Sequence, residues 1–363
     1  MIRRLSLRHP SGTTPILVGA GALEEAGEEL AAWVEGRTLF VVSTPRVLGF
    51  HGAALDGVRG AAGRAVTLEV EDGEGAKSLA TAERLWSEML AAGGKRDSRV
   101  VAFGGGSCGD VGGFAAGCFL RGVGLVQVPT TLLGQVDAAI GGKTAVDLPA
   151  AKNSVGVFHH PDLVVADTAL LATLPPEELR SGLVEVVKMA FLHDPPLLDR
   201  LEAALDRLLA GDPEALGPVV AGGAGAKIAV VEEDPGEAGE RRLLNFGHTL
   251  GHAIEAVLGY RELRHGEAVA YGLLFALRLA ARRGLPPADA ERLRSLLARL
   301  DLPPLPALPA GDLVEAMARD KKARESGLVW VFPERLGRGR VVADVSPGET
   351  RRELDAFLPD PWA

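Results

Sequence analysis

Imidazoles and carboxylates at short, repeated spacings are the residues of this 363-residue chain best equipped for chemistry. Asn245-Phe246-Gly247-His248-Thr249-Leu250-Gly251-His252 places two histidines four apart, His265-Gly266-Glu267 follows, and Glu185-Val186-Val187-Lys188 lies far upstream. Such donors suit a catalytic divalent metal, because three protein ligands on zinc leave a coordination position open for a substrate oxygen. His248 and His252, at i and i+4, share one helical face. A metal-binding pair and two ordinary helix histidines both fit that spacing. A zinc-protease motif would need Glu directly after the first His; Thr249 stands there, which disfavours peptide hydrolysis. His9, His51 and His193 fall outside any such pattern and read as ordinary surface or core residues.

A second group points to anions. Gly104-Gly105-Gly106-Ser107-Cys108-Gly109-Asp110 follows a strand signal and opens a helix signal, where backbone N–H groups and the helix N-terminus can approach a pyrophosphate. A tight, non-binding strand-to-helix turn would have the same spacing. The ribose-binding acid usual about 20 residues later is missing, since no Asp or Glu occurs between Asp110 and Asp137. Thr130, Thr131, Asp137, Lys143, Lys152, Asn153 and Arg121 add hydroxyls, a carboxylate, amines, an amide and a guanidinium nearby in sequence. Converging, such donors hold phosphate or carboxylate through charge-assisted hydrogen bonds; singly, each is an ordinary solvated residue.

Composition sets the frame for these groups. With 47% hydrophobic and 24% charged residues, the chain reads as a globular protein of two domains with a substantial core. No uncharged apolar run approaches 20 residues and no secretory leader pattern opens the chain, so a cytoplasmic protein is expected. Cys108 and Cys118 suit free thiols in a reducing compartment better than a disulfide. A net charge of −9 gives no reason to expect nucleic acid or anionic membrane as partner. Asn occurs only at 153 and 245 and Gln only at 127 and 135, a depletion shared by heat-adapted proteins and GC-rich coding bias. Against that background, most of the lysines, at 77, 143, 152, 188, 227, 321 and 322, fall inside motifs, whereas Lys95 sits in a plain turn.

The elements that must position these residues change character along the chain. Short β-branched apolar runs at 38–43 and 98–103 alternate with helical periodicity at 22–34 and 77–92, the signature of an open α/β sheet. From about Thr168 onward the pattern becomes helical, at 176–193, 214–232, 243–258, 266–283 and 288–300, and 328–332 with 340–343 predict one late hairpin. No internal repeat, low-complexity tract or flexible linker is evident. The expectation is an α/β Rossmann-like nucleotide-binding domain at 1–168 followed by a mainly α-helical domain at 169–363 that binds metal and substrate.

Taken in order, Gly104 to Gly113, Pro129-Thr130-Thr131-Leu132-Leu133, Gly141-Gly142-Lys143-Thr144, Lys152-Asn153, Glu185 to Lys188, Leu244 to His252 and His265 to Val269 resemble the 3-dehydroquinate synthase family over nearly the whole chain. The resemblance implies one NAD and one divalent metal, zinc with cobalt as alternative. It implies conversion of 3-deoxy-D-arabino-heptulosonate 7-phosphate to 3-dehydroquinate: transient oxidation by NAD, phosphate elimination, re-reduction and an intramolecular aldol closure, in the shikimate pathway of aromatic amino acid biosynthesis. It makes Glu185, His248 and His265 the metal ligands and turns His252 toward substrate. Asp137, Lys188 and His252 are then expected at substrate hydroxyls and in proton relay. Arg121, Lys143, Asn153, Asn245 and one of Lys321 or Lys322 are expected at phosphate, and Lys227 with Arg241 at carboxylate. The cofactor set implied is Glu74, Lys77, Gly105, Gly106, Ser107, Asp110, Thr130, Thr131, Leu133, Asp137, Lys143, Lys152, Thr173, Leu174 and Glu178. In the family the arginine matching Arg121 reaches across a dimer interface, so a homodimer is implied.

One departure touches the cofactor. Where the family commonly carries Asp and Asn against the adenosine ribose, this chain reads Ser43-Thr44-Pro45-Arg46; Arg46 admits NADP, and NAD is retained as the expectation. The rival readings are a related cyclase acting on sedoheptulose 7-phosphate or an amino-substituted sugar, a metal- and NAD-dependent polyol dehydrogenase, and a metal-stabilised binding protein without turnover. Lys227, Arg241 and Asn245 favour the carboxylated substrate, and proton-transfer groups beside the ligands disfavour a merely structural metal.

Overall fold

The computed structural model describes residues 1–148, 151–236, 239–319 and 328–362. It divides into two compact units, Met1–Pro175 with Gly211–Pro235, and Pro176–Ala210 with Gly236–Ala363. The expected domains cut the chain once, at 168/169, whereas here the helix Pro213–Glu233 belongs with the first unit. Its periodicity announces a helix; what it packs against, β1 and the turns at 134–138 and 168–173, is not written in that periodicity.

The first unit is built on a seven-stranded mixed sheet. In chain order the strands are β1 Arg3–His9, β2 Gly12–Val18, β3 Thr38–Ser43, β4 Arg64–Glu69, β5 Arg99–Gly104, β6 Gly124–Pro129, β7 Lys143–Leu148, β8 Ala151–Phe158 and β9 Leu163–Ala166. The sheet order is β1-β2-β9-β6-β5-β3-β4, antiparallel only at β1–β2, and β7 with β8 forms a separate antiparallel hairpin. Central strands read as near-continuous apolar runs because both their faces are covered. In β3, Leu39 and Val41 join Leu30, Val34, Leu55 and Val58 on one face. Phe40 and Val42 join Leu85, Met89, Val111 and Phe114 on the other. The alternation is the two-residue pleat of the strand. Side chains cap the helices that follow: Thr44 Oγ1 accepts from Val47 N at 3.3 Å, and Ser78 Oγ accepts from Thr81 N at 3.1 Å.

Strand order creates a switch point at one end of the sheet. From β3 the chain proceeds to β4 on one side, then returns to place β5 on the other side of β3. The carboxyl ends of β3 and β5 therefore flank a topological switch point, where open α/β sheets bind ligands. The glycine-rich turn leaves β5 at that point and enters the helix Gly106–Cys118.

The second unit is helical, with Pro176–His193, Pro195–Leu209, His248–Val257, His265–Ala281, Pro287–Ala298, Ala310–Arg319 and Pro347–Phe357, plus one hairpin of β10 Leu328–Arg335 and β11 Arg338–Val345. The hairpin is longer than 328–332 and 340–343 suggested. Pro333 stays inside β10, tolerated in a two-stranded ribbon, and the turn is confined to Leu336-Gly337, with Gly337 at φ 77°. The segment 243–258, expected as one helix, divides into a 3-10 turn Glu240–Asn245 and the helix His248–Val257, separated by Gly247 at φ 79°. Among the described residues one helix, Pro213–Glu233, is long and apolar enough to cross a membrane, but 67% of its most apolar window is buried, as in a core helix.

Candidate metal centre and nucleotide crevice

Three helices of the second unit meet through glycines. A Cβ on Gly266 would lie 2.0 Å from Ser181 O, one on Gly272 1.8 Å from Gly247 O, and one on Gly251 3.0 Å from Val269 Cα. Backbones can come this close only without side chains, so these glycines set the spacing of helices Pro176–His193, His248–Val257 and His265–Ala281. Gly266 N also donates to Ser181 Oγ at 2.9 Å, and Arg264 N donates to Glu267 Oε2 at 2.8 Å, satisfying free N–H groups where the His265 helix begins.

This spacing brings Glu185, His248 and His265 together, with one ligand atom from each within 4.8 Å of the others. Glu185 Oε1 lies 3.8 Å from His248 Nε2 and 3.7 Å from His265 Nε2. Glu185 is fully buried, and among the described residues Oε1 has no hydrogen-bond donor, whereas Oε2 is taken by the ammonium of Lys188. Both histidines have Nδ1 against an acceptor: the Phe246 carbonyl at 3.2 Å for His248, and Glu255 Oε2 at 3.2 Å for His265. A hydrogen bond at Nδ1 selects the tautomer whose Nε2 has a free lone pair. Two lone pairs and one unsatisfied carboxylate oxygen converging in a buried site fit a divalent cation; a buried carboxylate oxygen with no partner is otherwise costly.

The His252 ring lies 5.1 Å from that of His248 and 5.9 Å from that of His265. His252, Glu255 and His265 form a second ligand-capable group sharing His265 with the first. Sequence reasoning missed Glu255. The available signal was spacing: Glu255 lies seven residues beyond His248 and three beyond His252, on their face of the helix, and is only 4% exposed. Burial works against a charged His265, but the hydrogen bond and charge of Glu255 and the charge of Glu185 outweigh it and raise its pKa. Arg241 is 1% exposed in the 3-10 turn, and Asn245 Nδ2 donates to Arg242 O at 3.1 Å. Glu178 pairs with Arg264 at 2.7 Å. Lys321 and Lys322 lie outside the described residues.

In the first unit, the glycine run divides its work. A Cβ on Gly109 would meet Gln127 Oε1 at 2.9 Å, on Gly112 Ala102 Cβ at 3.0 Å and on Gly113 Thr144 Cγ2 at 2.5 Å. These three serve close packing of the helix on the sheet and on β7. Gly105 and Gly106 form the turn itself, beside Thr131 and Ala138. Lys77, 4% exposed, reaches Asp110 at 2.9 Å, Glu74 at 3.3 Å, Asp147 at 4.0 Å and Asn153 Oδ1 at 2.5 Å. Ser107 Oγ donates to Glu74 at 2.8 Å, and Lys152 lies 3.6 Å from Glu74. Burial pushes Asp110 up to about 6 against the opposing pull of Lys77; burial likewise opposes the Lys77 charge, yet Asp110 and Glu74 hold its pKa above the ordinary value. Asn153 adopts the left-handed φ of 50°, which Asn tolerates, and its N–H donates to Asp147 at 2.6 Å. The lysine and amide singled out in the sequence thus meet in one polar cluster.

Asp137 sits in a π-helical turn, Gly134–Ala138, and pairs with Lys227 of the Pro213–Glu233 helix. Buried Gln135 anchors the turn through Pro129 O at 3.1 Å and Asp167 O at 2.8 Å. Thr130 N donates to Gly104 O at 2.9 Å; Thr131 Oγ1 accepts from Gly134 N at 3.1 Å, so Leu133 lies in a fixed turn. Thr173 Oγ1 meets His51 Nε2 at 2.7 Å just before Leu174. Lys143 is exposed at the start of β7. Arg121 is exposed and left-handed at φ 71°, next to Leu120 at φ 49°, two non-glycine residues held in a sparsely populated conformation. Thr44 is buried as a helix cap, so the loop after β3 offers no acid.

A glycine-rich turn at the switch point of an α/β unit and a two-histidine, one-glutamate group in a helical unit occur together here, as in the sugar phosphate cyclase fold. Structures of 2-deoxy-scyllo-inosose synthase with carbaglucose-6-phosphate, NAD+ and Co2+ (26% identity, TM-score 0.87, covering 98% of this chain and 99% of that one) and of 2-epi-5-epi-valiolone synthase from Streptomyces hygroscopicus with NAD+ and Zn2+ (29%, TM-score 0.85, 95% and 97%) share it. Family models for the 3-dehydroquinate synthase N-terminal and C-terminal regions match residues 67–181 and 182–323. The 3-dehydroquinate synthase of Symbiobacterium thermophilum is 45% identical over 351 residues, spanning 94% of this chain and 97% of that one. The chain belongs to the 3-dehydroquinate synthase family: it is an enzyme, with 3-dehydroquinate synthase activity in the shikimate pathway.

Proposed function

We propose that this enzyme works with a divalent metal held by Glu185, His248 and His265 and an NAD held in the crevice beside Gly105 and Gly106, on 3-deoxy-D-arabino-heptulosonate 7-phosphate. The observation that carries the reading is the orphaned, buried Glu185 Oε1 within 3.8 Å of two imidazole Nε2 atoms. When bound, the metal, zinc or cobalt, would supply Lewis acidity toward substrate hydroxyl and carbonyl oxygens, and NAD a transient hydride acceptor.

The chain's own residues divide the remaining tasks. Lys188 holds Glu185 Oε2, which keeps Oε1 as the single ligand atom and leaves an ammonium beside the site. His252, adjacent to both ligand rings, is placed to take and return protons from substrate hydroxyls. Asp137, paired with Lys227, is the second group for hydroxyl contact, with Lys227 and Arg241 holding the carboxylate. Arg121, Lys143, Asn153, Asn245 and one of Lys321 or Lys322 take the phosphate. Glu74, Lys77, Ser107, Asp110, Thr130, Thr131, Leu133, Asp137, Lys143, Lys152, Thr173, Leu174 and Glu178 complete the cofactor set. Exposed Arg121 and the exposed apolar side chains Leu120, Leu148 and Phe158 agree with a homodimer. A cytoplasmic location agrees with two free cysteines.

The test is turnover. Purified enzyme with the heptulosonate phosphate, NAD and zinc is expected to release inorganic phosphate and form dehydroquinate together, with no lasting NADH. Sedoheptulose 7-phosphate is the control; its preference, or accumulation of NADH without phosphate, would overturn the substrate reading.

A further inference from the structure

We propose that Glu255 is a positioning residue for the metal, acting through His265. This rests on the reading of Glu185, His248 and His265 as ligands. Glu255 lies seven residues beyond His248 on the same helix, 4% exposed, with Oε2 at 3.2 Å from His265 Nδ1. His265 comes from a different helix, and its opposite nitrogen, Nε2, is 3.7 Å from the orphaned Glu185 Oε1. One imidazole therefore bridges two buried carboxylates, one at each ring nitrogen.

The arrangement has a chemical consequence. With Nδ1–H donated to Glu255, the ring is fixed in the tautomer that presents the Nε2 lone pair toward Glu185, and its basicity rises. At the same position His248 meets a neutral acceptor, the Phe246 carbonyl at 3.2 Å. The charged partner makes His265 a stronger donor than a ring held by a neutral acceptor alone. Glu255 touches neither substrate nor metal in this assignment. The competing possibility is that Glu255 ligates the ion itself, since its carboxylate, His252 and His265 also lie within 4.8 Å of one another.

The experiment separates these. The full-length enzyme is stripped of metal, then titrated with Zn2+ and with Co2+ against a chromophoric chelator, for the unaltered chain, Glu255→Gln and His265→Ala. Glu255→Gln is expected to bind about 10–100-fold more weakly, with the visible Co2+ bands of the loaded protein unchanged because the three ligands are the same. Unaltered affinity, or an altered Co2+ spectrum marking a lost ligand, would overturn the proposal. Should the unaltered chain take up no metal, or His265→Ala take it up normally, the ligand reading itself falls and this inference with it. A measurement needing no variant covers a failure of Glu255→Gln to fold: nitrogen NMR of the zinc-loaded enzyme is expected to find the His265 proton on Nδ1, and metal on Nδ1 would refute the assignment.

Discussion

In the proposed site Glu185 would serve two positive partners with one carboxylate, Lys188 at Oε2 and the metal at Oε1. Its replacement by Gln keeps the shape and removes the charge; we expect Glu185→Gln to lose metal affinity by at least about tenfold, read by chelator competition, with secondary structure intact by circular dichroism. Lys77 presents the reverse case, one buried ammonium among Asp110, Glu74 and Asp147. Lys77→Met leaves those carboxylates without their counterion, and should cost about 3–5 kcal/mol in denaturant unfolding along with NAD affinity; a loss below 1 kcal/mol would mean that solvent already screens the cluster. His193 gives a pH signature. Burial first, and then Lys188, push its pKa down to about 4, whereas the unfolded imidazole titrates near 6.5. Between those values the unfolded state binds the extra proton, so stability is complete above about pH 6.5 and declines as pH falls toward 4. His193→Gln should flatten the difference in Tm between about pH 7 and about pH 5; an unchanged slope would assign the loss to other groups.

At the scale of elements, glycine has opposite meanings at two places. Gly272 lies where the His265 helix touches Gly247 O, and a Cβ there has no room. Gly272→Ala is expected to push two ligand-bearing helices apart, destabilising by about 1–3 kcal/mol or more and weakening metal binding with it. Gly225, inside the Pro213–Glu233 helix, has nothing within 4 Å of a built Cβ. Gly225→Ala should instead stabilise by roughly 0.5–1 kcal/mol through helix propensity. Parallel thermal unfolding of the two variants tests the sign of each effect. A gain at Gly272 would show that the helix contact does not set the ligand spacing.

For the whole molecule, a metal in the proposed site would link folding to function, because an ion bound only by the native state stabilises it by mass action. Chelation should lower Tm for the unaltered enzyme, by roughly 2.7 kcal/mol of stability for an ion present at about 100 times its Kd, and leave His265→Ala unmoved. NAD should raise Tm independently of the metal. Equal responses of the unaltered enzyme and His265→Ala to chelator would separate stability from this site.

The sequence alone carried the class of fold and most of the chemistry, because both rest on local facts. β-branched apolar runs make strands and 3.6-residue periodicity makes helices; the spacing of His248 and His252 left two readings open, and the ordered motifs from Gly104 to Val269 carried the family resemblance. Tertiary structure decided what depends on contacts across the chain. It paired Lys77 with Asp110 and Asn153, put the Pro213–Glu233 helix with the first unit, and assigned Gly109, Gly112 and Gly113 to packing while Gly105 and Gly106 form the turn. It also brought His265 between Glu185 and Glu255. No spacing encodes that meeting, since the three residues lie on three helices and come together only where Gly266, Gly272 and Gly251 let the backbones touch.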